Sequence, residues 1–313
     1  VQPAFSAVEW LFCPVSGVWL AIFPCVEAVM RLAETDLRCL LEAPLLCGNK
    51  NNFSTTTTIY AMPPPLEILL DPISLSILAM YALLILYEAI FPARQLPPVK
   101  FWKVRGILFF FVFFYLSSYL PLFWQEYMPD KQLLDLSGLG VLWGSLAGVL
   151  LYEFGMYVWH RAMHTSNVLW RVFHQMHHSA ERLDTYGAFY FSPFDMVGWT
   201  ALGTLCFSVI MGLDAQATTV ILLVTNFFSI FQHANIRTPQ WLGYLIQRPE
   251  SHTHHHAQHI HQHNYSDLPL FDILFGTFHN PKTYEHDTGF YQGASAKVVD
   301  MLLFRDVSRE DFK

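Results

Sequence analysis

The sequence predicts an all-α, integral-membrane helical bundle of about three spans plus a helical hairpin, with a cytoplasmic helical cap that carries histidine boxes. Three observations predict it. The 313 residues are 53% hydrophobic and only 14% charged, where a soluble domain carries about 25% charged residues. Apolar runs approaching the ~20 residues that cross a bilayer recur from Leu66 onward. All 15 histidines fall between His160 and His286.

Taken in order, residues 1–61 read as a poorly defined N-terminal extension. Its apolar stretch, Trp10 to Met30, is broken by Pro14 and Pro24, and no cation precedes Arg31, so it lacks the basic start of a signal peptide. Four of the five cysteines lie here (Cys13, Cys25, Cys39 and Cys47, with Cys206 far away), and none forms a Cys-x-x-Cys pair. That pattern predicts apolar thiols rather than a disulfide scaffold. We expect the functional protein to start near Met62, with residues 62–278 as the membrane-embedded domain and 279–313 as a polar cytoplasmic tail.

The first span is predicted at Ile73–Phe91, the second at Gly106–Trp124 and the third at Leu136–Trp159. Phe194–Leu213 and Ala217–Phe231 are joined by a short link at Asp214, which makes them an antiparallel hairpin. Five such runs would leave a soluble protein too little polar surface. Arg94, Lys100, Lys103 and Arg105 lie between spans one and two with no acid among them, while the next loop holds Glu126, Asp130, Lys131 and Asp135. Positive-inside bias therefore puts the first loop in the cytoplasm. The end of span three, at His160, and everything after the hairpin then share that side. A net charge of −7 offers no basic face to nucleic acid.

The histidines carry the chemistry. His160 and His164 stand at i, i+4, which puts both rings on one helix face. His174, His177 and His178 follow with i, i+3 and i+4 spacing, and His252, His255 and His256 repeat it. His233 stands alone at the end of the hairpin. Each piece alone is a surface coincidence or a core histidine; together, all on one membrane face, they predict a metal centre. Nine imidazoles is about the complement for two ions with four or five protein ligands each. Imidazole suits Fe, Zn, Cu and Ni alike, so the spacing does not choose the metal. Candidate groups supporting the ligands are Glu153, Asn235, His261 and Asp272, with Asp184 and Asp195 as further acids that could orient rings. Glu153 leads them, because an acid near the interior of a span is costly unless paired. His254, His259 and His263 exceed the complement and read as rings facing water, and His279 and His286 have no assigned role. A His-rich divalent-metal transporter is the rival reading, but it calls for ligands near the bilayer midplane. A membrane zinc protease calls for His-Glu-x-x-His, and the chain has no His-Glu dipeptide.

His160-x-x-x-His164, His174-x-x-His177-His178 and His252-x-x-His255-His256 resemble the boxes of the fatty acid hydroxylase and sterol desaturase superfamily. The flanking Tyr157-Val158-Trp159, Asn264-Tyr265 and Asp272-Ile273-Leu274-Phe275-Gly276 agree, so the resemblance runs from about Leu66 to Phe278. Ser266, Phe271 and Ser192-Pro193 depart from the usual family residues, on the cap and substrate side. The resemblance implies two iron ions held by His160, His164, His174, His177, His178, His233, His252, His255 and His256. It also implies O2 as co-substrate and hydroxylation or desaturation of an unactivated C–H bond of a lipid. The chain has no Gly-x-Gly-x-x-Gly fingerprint for a nicotinamide or flavin. Electrons are therefore expected from a separate donor, a cytochrome b5-like protein or a ferredoxin with its reductase. Arg161, Arg171, Arg182 and Arg237 are candidates for docking it.

Overall fold

A computed structural model describes residues 62–129, 132–309 and 312, so the extension 1–61 lies outside the described residues. The chain is an all-α membrane helical bundle. α1 (Pro65–Leu70) leads into α2 (Pro72–Ile90), where Pro72 fills the first helical position and Asp71 accepts the Ile73 N–H at 2.9 Å. α3 (Trp102–Trp124) is extended by a 3-10 turn, Gln125–Tyr127. A 3-10 turn at Ser137–Leu139 then leads into the long α4 (Gly140–Thr165). α5 (Asn167–Leu169) passes through a π turn, Trp170–His174, into α6 (Gln175–His178).

α7 (Pro193–Thr204) is capped by Ser192, which accepts the Asp195 N–H at 3.1 Å, and it widens into a second π turn, Leu205–Ile210. Asp214 caps α8 (Ala215–His233), accepting N–H groups of Gln216 and Ala217. Three short helices finish the cap: α9 (Pro249–His255), α10 (Pro269–Phe275) and α11 (Val298–Leu302).

Among the described residues, five segments are long and apolar enough to cross a membrane: Pro72–Ile90, Trp102–Tyr127, Ser137–Thr165, Pro193–Ile210 and Ala215–His233. They fall where the sequence places them, except that the third runs past Trp159 to Thr165 and so carries both His160 and His164 on helix. Only 11% to 33% of each is buried by protein. Outward-facing Leu83, Leu108, Leu142 and Trp143 are largely exposed, and an apolar surface of that extent calls for lipid rather than water.

The ends of these helices are sorted by a small sheet. β1 (Leu134–Asp135), in the loop between α3 and α4, pairs in parallel with β2 (Met211–Gly212) at the tip of the hairpin. That pairing fixes one end of the bundle. The 26 residues of α4 then carry the chain roughly 39 Å away, so His160 and His164 lie at the opposite end, where α8 also delivers His233. α4 and α8 approach closely because Gly148 has no side chain; a Cβ there would strike the side chain of Ile221. Gly106 does the same for α3, whose backbone rests against the Tyr186 carbonyl.

The segment from His279 onward, a polar tail by composition, packs part of its length against the helices. Phe290, Ala294, Met301 and Val307 are buried with Trp102, Met176, Ala180 and Tyr190 in one apolar cluster. Glu181 accepts the Gly293 and Ser295 N–H groups, and Arg105 donates to the Ser295 carbonyl. A few apolar residues spaced among polar ones suffice to dock such a segment, and composition averages them away.

Candidate metal centre

All nine predicted histidines converge, in two groups. One is His160, His164, His174, His178 and His255; the other is His177, His233, His252 and His256. Within each, one donor nitrogen per ring lies within 4.8 Å of all the others. The division follows helix geometry: residues at i, i+4 share a face. Thus His160 with His164 and His174 with His178 enter the first group, while His252 with His256 enters the second. His177 and His255 lie about 100° away around their helices and cross to the other group.

The tautomers are set from outside. His160 Nδ1–H donates to the Tyr265 carbonyl at 2.8 Å, His255 Nδ1–H to the His263 carbonyl at 2.6 Å and His174 Nδ1–H to Asp195 Oδ2 at 2.9 Å. A carbonyl can only accept, so in the neutral ring the other nitrogen is a bare lone pair. Yet His160 Nε2 sits 2.9 Å from His174 Nε2 and 3.1 Å from His255 Nε2. Three lone pairs cannot hydrogen-bond to one another. In the second group His233 Nδ1–H donates to the Ser229 carbonyl at 2.6 Å, and its Nε2 lies 3.0 Å from His177 Nε2 and 2.9 Å from His252 Nε2. His164 Nε2 and His178 Nε2 are buried without a hydrogen-bond partner. A cation in each group would satisfy these atoms. Donors about 2.1 Å from one ion and at right angles stand roughly 3.0 Å apart, against about 3.4 Å for tetrahedral angles, and the observed spacings fit the right angle.

The electrostatics agree. Burial first, then the neighbouring imidazoles, hold His174, His177, His178, His252, His255 and His256 well below the ordinary histidine value. Neutral imidazole is the ligating form.

The supporting residues are redistributed. Asp195 is the carboxylate that touches a ring. Glu153 does not: its Oε2 accepts the Asp267 and Leu268 N–H groups at 2.9 and 3.0 Å and so anchors the loop after the third box. Asp272 holds the same loop, accepting the Tyr265 and Ser266 N–H groups, and through it the Tyr265 carbonyl that receives His160. Asn235 turns away from the rings. Its N–H donates to Glu88 and its amide to the Arg94 carbonyl, tying the end of α8 to the loop after α2. Asp184 likewise serves the scaffold, accepting from Trp102 Nε1 and pairing with Arg182. His261 lies at the edge of the first group, its Nδ1 3.1 Å from His178 Nδ1, and burial followed by His259 lowers it to about 4.

Sequence reasoning missed Gln247, whose Nε2 lies 2.9 Å from His252 Nδ1, and Gln232 and Asp267 behind it. Their signal was weak, because a lone Gln carries no spacing. Asp195 had a clearer one: an acid in the first turn of a membrane helix needs a partner.

A cavity of about 90 Å³ opens against His160, His174, His177, His233 and His252. Phe113, Met156, Phe189, Phe191 and Trp199 form its apolar side.

Residues 145–277 match the family model described as fatty acid hydroxylase. Over 169 residues the chain is 31% identical to the ornithine lipid hydroxylase OlsE of Rhizobium tropici, an alignment covering 52% of this chain. It covers 47% of that relative, so the chain spans about half the length of the curated protein it matches. No solved structure matches the chain.

Proposed function

Because residues 145–277 match the fatty acid hydroxylase family model, we propose that the chain is a membrane di-iron oxidoreductase of that family that hydroxylates an unactivated C–H bond of a lipid with O2. The observation that supports this reading is the meeting of Nε2 atoms from His160, His174 and His255 at 2.9 and 3.1 Å, an arrangement that a bound cation would stabilise. His160, His164, His174, His178 and His255 would hold one iron, and His177, His233, His252 and His256 the other. Bound there, iron supplies the activation of O2 and the removal of hydrogen from carbon.

The protein's own part is positioning and exclusion. Asp195 and the carbonyls of Tyr265, His263 and Ser229 fix which nitrogen of each ring faces inward. Phe113, Phe189, Phe191, Trp199 and Met156 offer an alkyl segment a dry wall beside the rings, which favours chain carbon over water at the reacting position. A few methylenes fit this cavity, while the rest of a lipid extends toward the bilayer. A relative named as an ornithine lipid hydroxylase supports a lipid as the substrate class.

The metal centre faces the cytoplasm in this reading, supported by the cations Arg94, Lys100, Lys103 and Arg105 at the same end of the bundle. An electron-donor protein of the cytochrome b5 or ferredoxin class would supply electrons from that side. The test is lipid profiling of cells with and without the protein, beside a His177→Ala variant. A lipid gaining one oxygen with the wild type, and not with the variant, is the expected result. Identical lipid profiles, or a purified protein holding zinc but never iron, would overturn it.

A further inference from the structure

We infer that His254, Glu285 and His286 form a third, peripheral site for a divalent cation of the zinc class, outside the nine-ring centre. One donor atom from each lies within 4.8 Å of the other two. A fourth group reinforces them: the His279 ring stacks on His254 at 3.8 Å, and its Nε2 lies 3.6 Å from Glu285 Oε2. His254 Nδ1 is buried without a hydrogen-bond partner, the state of a nitrogen kept free for a ligand rather than spent on structure.

Clusters of surface histidine arise by chance, but this one is assembled and held from separate parts of the chain. His254 comes from α9, the other three from the segment after α10. Asn264 fixes the backbone of His279, accepting its N–H and donating to its carbonyl, each at 2.8 Å. Arg94 Nη1 donates to the His286 carbonyl at 2.9 Å. The Gln258 N–H donates to the Asp287 carbonyl at 3.0 Å, beside a bridge between Ala257 and Thr288. The bonds to His279 and His286 use their backbone atoms and leave their rings available, while those at Asp287 and Thr288 hold the neighbouring backbone in place. Imidazole with one carboxylate suits Zn²⁺, and three protein ligands leave a position for water.

The site has a structural consequence. His254 stands between His252 and His255 on α9, so an ion joining it to Glu285 and His286 clamps the third box onto the docked C-terminal segment. The iron-loaded protein in detergent, titrated with Co²⁺ as a coloured stand-in for zinc, tests this. The wild type should take up one Co²⁺ beyond its buried complement, with visible absorption that Zn²⁺ abolishes, and should become protected from proteolysis around residues 279–289. Glu285→Gln and His286→Ala should weaken that uptake by more than the roughly 10–100-fold lost with a supporting hydrogen bond. Their buried metal, counted in the same samples, should be unchanged and so reports that they are folded. Absence of the extra Co²⁺ in the wild type, or uptake by both variants with wild-type affinity, overturns the proposal.

Discussion

His174 Nδ1 donates to Asp195 Oδ2 across 2.9 Å, joining the second histidine box to the first turn of α7 with both side chains sealed from solvent. The carboxylate fixes the tautomer, makes the ring a better donor and offsets positive charge at its inner nitrogen.

Replacing Asp195 with Ala is therefore expected to weaken metal retention about 10–100-fold. Asp195→Asn keeps an oxygen acceptor and should fall between the two. Chelator competition followed by metal analysis checks this; an Ala variant that keeps its metal as tightly as the wild type would show that the carboxylate supports nothing.

Acid should destabilise the protein and strip its metal. Burial holds His174, His177, His178, His252, His255 and His256 low in the native state, whereas in the unfolded chain they titrate near about 6.5. Well above that pH both states are neutral and these rings contribute no pH dependence. Below it the unfolded chain takes up protons that the folded one refuses, so stability falls as pH drops, and metal is lost in the same direction. Melting temperature and metal content should both be lower near about pH 5 than near about pH 7.5. A melting temperature that holds or rises at the lower pH contradicts this.

Gly106→Ala should cost about 1–3 kcal/mol of stability, the range for overpacking. The added Cβ would run into the backbone carbonyl of Tyr186, and a backbone group cannot swing aside. Gly138 has nothing within 4 Å of its Cβ position, so Gly138→Ala serves as the control. Equal melting temperatures for the two variants would mean that α3 does not rest on that turn.

Met301→Ala is predicted to lose about 2–5 kcal/mol, because Met301 is 2% exposed in the cluster with Trp102 and Met176. Leu303, two residues on, is 59% exposed, and its replacement by Ala should stay within about 0.5 kcal/mol. Denaturant or thermal unfolding of both variants decides whether the C-terminal segment belongs to the cap.

Much of this molecule was legible in one dimension because its strongest signals are local. Hydropathy over a run the length of a bilayer marks a span without any partner, so Pro72–Ile90 and Ala215–His233 could be placed directly. Histidines at i, i+4 share a face whatever packs against them, so the three boxes could be read as ligand sets before any helix was seen.

The tertiary structure alone decided which boxes meet: His160 and His164 join His174, His178 and His255, while His233 joins His177, His252 and His256. His177 and His178 are neighbours in sequence, yet they serve different groups because one residue turns the helix by about 100°. It also decided what stands behind each ring: a carboxylate from α7, carbonyls from the loop after α9, a glutamine with no motif around it. Those partners come from distant parts of the chain, and only packing sets their separation. Sequence carries the residue types and the local period; the hydrogen bonds that select a tautomer depend on long-range contacts, which no short window contains.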